Sequence, residues 1–241
     1  MGILILVYHR INNNLPPDPL IVSVEKFQEQ MHYLKTHYDI LSMEEVRAVY
    51  CKKDTWEEKD KPQVVITMDD GYRDNFQNAF PVLKAVHLPA TIFLTTGFTG
   101  TEKAMRRYAH MPSPDMLSWD EVKKMSENGI TFGPHTVTHP HLPTLTFVEQ
   151  KREITKSLDA LQKHLSKGIC RGVFSYTYGE YNEDTLKILK EIGIKIALTI
   201  NPGINHKNEN PLELKRIAIG GHDNLVEVIK KSILNKTDEK Y

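Results

Sequence analysis

Gln63-Val64-Val65-Ile66-Thr67-Met68-Asp69-Asp70-Gly71-Tyr72 is an apolar, β-branched run that stops at two adjacent carboxylates and a glycine. Gln63–Met68 has the length and composition of a buried strand. A helical pattern over Asp74–Val86 follows it, and Ala90–Thr95 reads as the next strand. Strand, helix and strand joined by such short connections predict a parallel pair with a crossover helix.

The alternation extends in both directions. Toward the N-terminus, Ile3–Tyr8 reads as a buried strand, and Ser23 caps a helix with the apolar stripe Val24, Phe27, Met31 and Leu34. Tyr38–Leu41 is a short strand, and Ser42 with Glu45 forms a capping box for the next helix. Toward the C-terminus, Ser118 with Glu121 and Thr146 with Glu149 open two more helices, the first closed by Gly129. Strands are expected at Ile130–Gly133, Val173–Tyr176, Lys195–Thr199 and Ile217–Ile219. Asn182 caps a helix ended by Gly193, and Asp223 is the expected cap of the last helix. Residues 51–62 read as a polar surface connection, and 97–117 as a long loop over one face. Repeated β–α units of this kind predict an α/β fold with a parallel sheet, open or closed into a barrel.

A chain of 241 residues fits one α/β domain over 1–241 with a substantial core. Lys+Arg and Asp+Glu both number 31, so there is no basic footprint for nucleic acid. Cys51 and Cys170 are read as free and buried, and two cysteines exclude a disulfide framework. The apolar start at Ile3–Val7 is too short to span a membrane and has no signal-peptide flank. As it stands the chain reads as cytoplasmic; removal of a leader would make it extracellular.

Candidate reactive residues recur where the expected strands end. His9 follows the first strand, Asp69 and Asp70 the one ending at Met68, and His135 the one ending at Gly133. Tyr178 follows the strand ending at Tyr176, and His222 follows the last strand. In a β/α barrel these ends share one face, where active sites are assembled. A carboxylate with the two imidazoles of His135 and His139 is a ligand set for catalytic zinc, and the second carboxylate is left over as a base. Both carboxylates reach one pocket only if the strand ends there, which Gly71 permits. An extended chain would hold His135 and His139 about 13 Å apart, so a turn is required, and Pro134 and Pro140 bracket it. Each feature also has an ordinary reading. Asp-Asp-Gly is a common turn, paired histidines occur on surface helices, and His9 or the tyrosines could serve packing. Their recurrence at matching strand ends favours a shared site.

These residues resemble the polysaccharide deacetylase family, the carbohydrate esterases with chitooligosaccharide-deacetylase homology. The likeness runs from Val7-Tyr8-His9-Arg10-Ile11 to Arg216-Ile217. Thr67-Met68-Asp69-Asp70-Gly71-Tyr72 is similar to the family's first motif, with Met68 where phenylalanine is usual. His135-Thr136-Val137-Thr138-His139-Pro140 is similar to the second, and Phe174-Ser175-Tyr176-Thr177-Tyr178-Gly179 to the third. The resemblance implies a distorted (β/α) barrel of about seven strands. It implies Asp69 as base, Asp70, His135 and His139 as ligands of a divalent metal, zinc being expected, and the Tyr178 N–H as oxyanion donor. Ser175 stands where many members carry the arginine that orients the base, which leaves the partner of Asp69 open, with Arg216 as a candidate substitute. Thr177 stands where proline is typical, and no aspartate–tryptophan fourth motif is present. The Tyr-His-Arg-Ile opening is closest to the branch acting on poly-N-acetylglucosamine, which makes His9 the preferred acid over His222. The implied activity is metal-dependent removal of N-acetyl groups from N-acetylglucosamine-containing poly- or oligosaccharide. The alternatives are a small acetylated or nucleotide sugar as substrate, or a non-catalytic glycan-binding barrel. Acetylated carbohydrate is the expected partner.

Overall fold

The computed structural model describes residues 2–15, 18–51, 61–103 and 115–234. Much of the expected 51–62 connection and of the 97–117 loop lies outside these residues. The central sheet runs in the order β10 (Ile217–Ala218), β1 (Ile3–Tyr8), β5 (Gln63–Met68), β6 (Ala90–Leu94), β7 (Ile130–Pro134). A short strand, β4 (Asp39–Leu41), pairs with the first half of β5, whose second half pairs with β6. β8 (Val173–Ser175) and β9 (Ile196–Leu198) form a separate pair. All of these pairings are parallel.

Single parallel bridges extend each sheet toward the other, from Phe132 of β7 to Ile169 ahead of β8 and from Leu198 of β9 to Leu214 ahead of β10. The strands of the expected barrel are therefore present as an arc, but the described ladder does not close. What unites the arc is its interior. Ile3, Ile5, Val65, Phe93, Val173, Ile196, Leu198 and Leu214 pack into one cluster, to which α2 (Met43–Cys51) adds Met43 and Val46. The alternate residues Leu4, Leu6, Val64, Ile66, Ile92 and Phe132 face outward. They meet the apolar stripes of α1 (Val24–His37), α3 (Phe80–Val86) and α4 (Trp119–Ser126). Strands buried on both faces read as continuous apolar runs rather than alternating ones.

Helix starts follow the expected chemistry with one exception. Ser118 and Thr146 make reciprocal boxes with Glu121 and Glu149 at the starts of α4 and α5 (Phe147–His164), and Asn182 caps α6 (Glu183–Glu191). At α7 (Leu225–Leu234) the cap is Asn224 rather than Asp223. Asn224 Oδ1 accepts from the N–H groups of Val226 and Glu227, while Asp223 turns back to accept from Gly220 N–H at 2.7 Å. The expected helix over Asp74–Val86 begins with a π-helical turn at Asn75–Ala79. Pro81 has no N–H to give to an earlier carbonyl, so the regular ladder cannot run through it. The pair β2 (Arg10–Ile11) and β3 (Ile21–Val22) was not anticipated. Both cysteines are free; Cys170 is buried as expected, but Cys51 is exposed at the end of α2. No helix among the described residues is long and apolar enough to cross a membrane.

Candidate active site

Strand parity delivers Asp69 and His135. On β5 the inward side chains are Val65 and Thr67, so Asp69 continues the inward series directly past the strand end. On β7 Thr131 and Gly133 share the parity of His135, and Gly133 lies so close to Phe93 that a Cβ there would meet its ring at 2.5 Å. By the same parity Asp70 would face outward. Its backbone instead adopts φ 75°, with Gly71 following at φ 82°, and the reversal brings the second carboxylate in. Gly71 is thus half of the device expected from the sequence; Asp70 itself is the other half.

Five non-glycine residues among those described have positive φ, and four of them are Asp70, Thr136, His139 and Tyr178. Each costs on the order of 1–3 kcal/mol, and for β-branched Thr136 the conformation is a genuine outlier. Strain concentrated at three strand ends is retained because the surrounding contacts over-determine it. The residues 135–139 form the short irregular turn expected between two prolines, with His139 N–H donating to Thr136 Oγ1 at 3.0 Å.

Asp69 is held by Arg216, which precedes β10. Arg216 Nη1 and Nη2 donate to Asp69 Oδ1 and Oδ2 at 2.9 and 2.6 Å. The remaining guanidinium contacts go to Thr199 O, Thr67 Oγ1 and Ser175 Oγ. Ser175 also donates to Asp69 Oδ2 at 3.2 Å. The two departures in the third motif now have physical roles. Ser175 is small enough to leave room for Arg216, which arrives from a different strand. Thr177 donates its hydroxyl to Pro140 O at 2.5 Å, joining the histidine turn to the tyrosine turn. Burial opposes ionisation of Asp69, but the Arg216 guanidinium, with His135 and His9 adding to it, keeps the carboxyl below its ordinary range.

Asp70 is fully buried, and neither of its carboxylate oxygens has a hydrogen-bond partner. Its Oδ1 lies 3.2 Å from His139 Nε2 and 3.6 Å from His135 Nε2. Burial pushes this carboxyl up, yet His139, His9 and His135 outweigh it and hold it well below the usual carboxylate range. His135 Nδ1 donates to Ser175 O at 2.9 Å. That bond fixes the tautomer and leaves the Nε2 lone pair directed at the carboxylates. Burial pushes the His135 pKa down to about 4, so the ring is neutral near pH 7. Two ligands on one tetrahedral zinc ion are about 3.3 Å apart, from bond lengths near 2.05 Å. The donor atoms of Asp70, His135 and His139, all within 4.8 Å of one another, fit such an ion. A buried carboxylate without hydrogen bonds costs several kcal/mol unless a cation compensates it.

The other expected residues divide. Tyr178 sits in the turn Thr177–Gly179 at φ 56°, its ring edge-on to His139 and stacked on His141 at 3.9 Å. His141 in turn donates from Nδ1 to Glu180 Oε2 at 2.8 Å. His9, half-buried between β1 and β2, is near enough to lower the pKa of both aspartates. Its carbonyl accepts from Asn75 Nδ2 at 2.8 Å. His222 is exposed and lines a surface cleft with Lys26, Glu29 and Tyr33, which none of the clustered residues lines. Sequence reasoning missed Glu153 and His141. Glu153 follows two other charged residues on α5, and His141, between Pro140 and Leu142, falls outside the four-residue spacing of His135 and His139.

A parallel α/β arc with carboxylates and imidazoles gathered at its strand ends defines a hydrolase-type site. The sequence model of polysaccharide deacetylases matches residues 57–197. YxkH of Bacillus subtilis (strain 168), which carries a polysaccharide deacetylase name, is 30% identical over 216 residues, 89% of this chain and 70% of that protein. The poly-beta-1,6-N-acetyl-D-glucosamine N-deacetylase of Staphylococcus aureus (strain MRSA252) is 30% identical over 206 residues, 82% of this chain and 67% of its own. Among solved structures, the Streptococcus pyogenes deacetylase PplD in complex with acetate superposes with a TM-score of 0.82. It is 30% identical, with 96% of this chain and 98% of that one covered. The chain belongs to the polysaccharide deacetylase family.

Proposed function

We propose that the protein is a metal-dependent deacetylase that removes N-acetyl groups from a β-1,6-linked N-acetylglucosamine polymer or oligomer. The observation carrying this reading is the buried Asp70 carboxylate, without hydrogen bonds and facing two imidazole nitrogens, beside an Asp69 held ionised by Arg216. The staphylococcal relative's name supports the substrate class. Asp70, His135 and His139 would hold one divalent ion, and their oxygen-plus-two-nitrogen set suits zinc. When bound, such an ion supplies Lewis acidity, polarising the acetamide carbonyl and making water more acidic.

The chain's own residues carry the proton movements. Asp69 accepts a proton from the attacking water, and Arg216 with Ser175 keeps its oxygens aimed during the transfer. The Tyr178 N–H, set by its left-handed backbone, is the donor for the carbonyl oxygen as that oxygen gains charge. His9 delivers a proton to the departing sugar nitrogen, so that acetate and a glucosamine unit leave.

The test of the reading is metal content together with acetate release from β-1,6-linked N-acetylglucosamine oligomers. Purified protein should bind one divalent ion, and His135→Ala and His139→Ala should lose it on mild chelation along with activity. Stoichiometric metal retained in both variants would refute the ligand assignment. The acid is checked separately. His9→Ala should slow amide hydrolysis by roughly 10²–10⁴-fold, and an ester substrate, with its better leaving group, should suffer less. His222→Ala should remain near wild type. An amide-selective loss in the His222 variant, with His9→Ala unaffected, would exchange the two assignments.

A further inference from the structure

We propose that Glu153 on α5, outside the strand layer, is a positioning residue for His139. Its carboxylate fills the backbone concavity of the turn between the two histidines and so sets where the His139 imidazole sits. The proposal rests on the ligand assignment made above.

The turn needs an anchor for a backbone reason. Thr136 at φ 65° rotates the peptides after it so that the N–H groups of Val137 and Thr138 point the same way. Successive N–H groups following a left-handed residue form an anion-binding concavity. Glu153 Oε2 occupies it, accepting from Val137 N–H at 2.9 Å and from Thr138 N–H at 2.8 Å. The other oxygen, Oε1, accepts from Thr138 Oγ1 at 3.0 Å. These bonds to an ionised acceptor are of the stronger kind.

The opposite edge of the turn is tied to the loop after β6. Gly97 N–H donates to Val137 O at 2.9 Å and Thr96 N–H to Thr136 O at 3.1 Å. The turn is therefore gripped on both sides, by backbone within and by one carboxylate without. Glu153 is itself well placed to hold. Its neighbours on α5, Gln150 and Ile154, are fully buried, and Gln150 Oε1 accepts from Thr185 Oγ1 on α6 at 2.6 Å. A glutamate present only for solubility would leave both N–H groups to water. Once released, Thr136 and His139 can relax from their left-handed conformations, and His139 Nε2 moves off its 3.2 Å approach to Asp70.

Shape and charge make different demands here. Glutamine can accept both N–H bonds through Oε1 while its amide donates to Thr138 Oγ1, so it preserves the anchor without the charge. Aspartate keeps the charge but is one methylene too short. The experiment measures zinc affinity of the full-length protein by chelator competition, and the visible spectrum of the cobalt-loaded form. Glu153→Ala and Glu153→Asp should weaken affinity by about 10–100-fold, the usual range for groups that orient ligands, and alter the cobalt spectrum. Glu153→Gln should match wild type in both. Circular dichroism establishes that each variant folds; should the alanine variant fail, aspartate against glutamine still decides. Wild-type affinity in Glu153→Asp, or a glutamine variant as weak as the aspartate one, overturns the proposal. A wild-type protein that binds no zinc overturns the ligand assignment itself, and with it the role of Glu153.

Discussion

Asp69→Asn should lower acetate release by roughly 10²–10⁴-fold, the usual contribution of a positioned general base, while leaving bound metal in place. An amide oxygen cannot take the proton from water, whereas Asp70, His135 and His139 are untouched by the change. The substitution also disturbs Arg216, since one oxygen facing the guanidinium at 2.6–2.9 Å becomes an NH₂ group. Two donors then oppose each other in a buried place, so some loss of stability accompanies the loss of rate. Metal content and melting temperature measured on the same preparation separate the two effects. Turnover near wild type in a folded, metal-loaded Asn variant would remove Asp69 from the proton transfer.

Arg216→Met should damage both folding and catalysis. The guanidinium and the Asp69 carboxylate are almost wholly buried, with side-chain exposures of 0% and 3%. Removing one partner of a buried ion pair costs about 3–5 kcal/mol because the other charge is stranded. For a chain of this size each kcal/mol lowers the melting temperature by roughly 2–4 °C. The sign of the pH effect follows from Asp69 being held below its ordinary pKa. The pair's contribution is complete above the pKa of an unfolded aspartate and is lost as pH falls through the lower folded value. Without Arg216, burial prevails and the carboxyl rises, so the acid limb of the pH–rate profile should move to higher pH. An unchanged melting point and acid limb would show that the pair matters to neither.

Much of this site is legible in the residues alone because strand parity and turn chemistry are local. Five helix caps, at Ser23, Ser42, Ser118, Thr146 and Asn182, follow from side chains that reach backbone groups only a few residues away. Asp69, Asp70, His135 and His139 stand out since few folds need two carboxylates and two imidazoles immediately after apolar runs. Other features depend on distance across the fold. Asp223 and Asn224 are equally good caps by type, and the choice is made by Gly220 N–H, which claims Asp223. The β2–β3 pair is too short to give any period. Arg216 is suggested by the missing arginine at Ser175, but only packing shows both side chains on the same carboxylate. Glu153 is the extreme case. On α5 it is one charge among many, and its partners are backbone N–H groups that every sequence possesses.

The distance along the chain between Asp69 and Arg216 has a consequence for how activity arises during synthesis. Asp69 and the cation that holds it are 147 residues apart, and β10, immediately after Arg216, is the last of the described strands to leave the ribosome. A nascent chain that has formed β1, β5, β6 and β7 already carries both aspartates and both histidines, yet its Asp69 lacks the guanidinium and the Ser175 hydroxyl that hold it in the full fold. The ion pair at these strand ends is therefore completed only when the C-terminal portion docks beside β1, so the arrangement around Asp69 is among the last features of the fold to form.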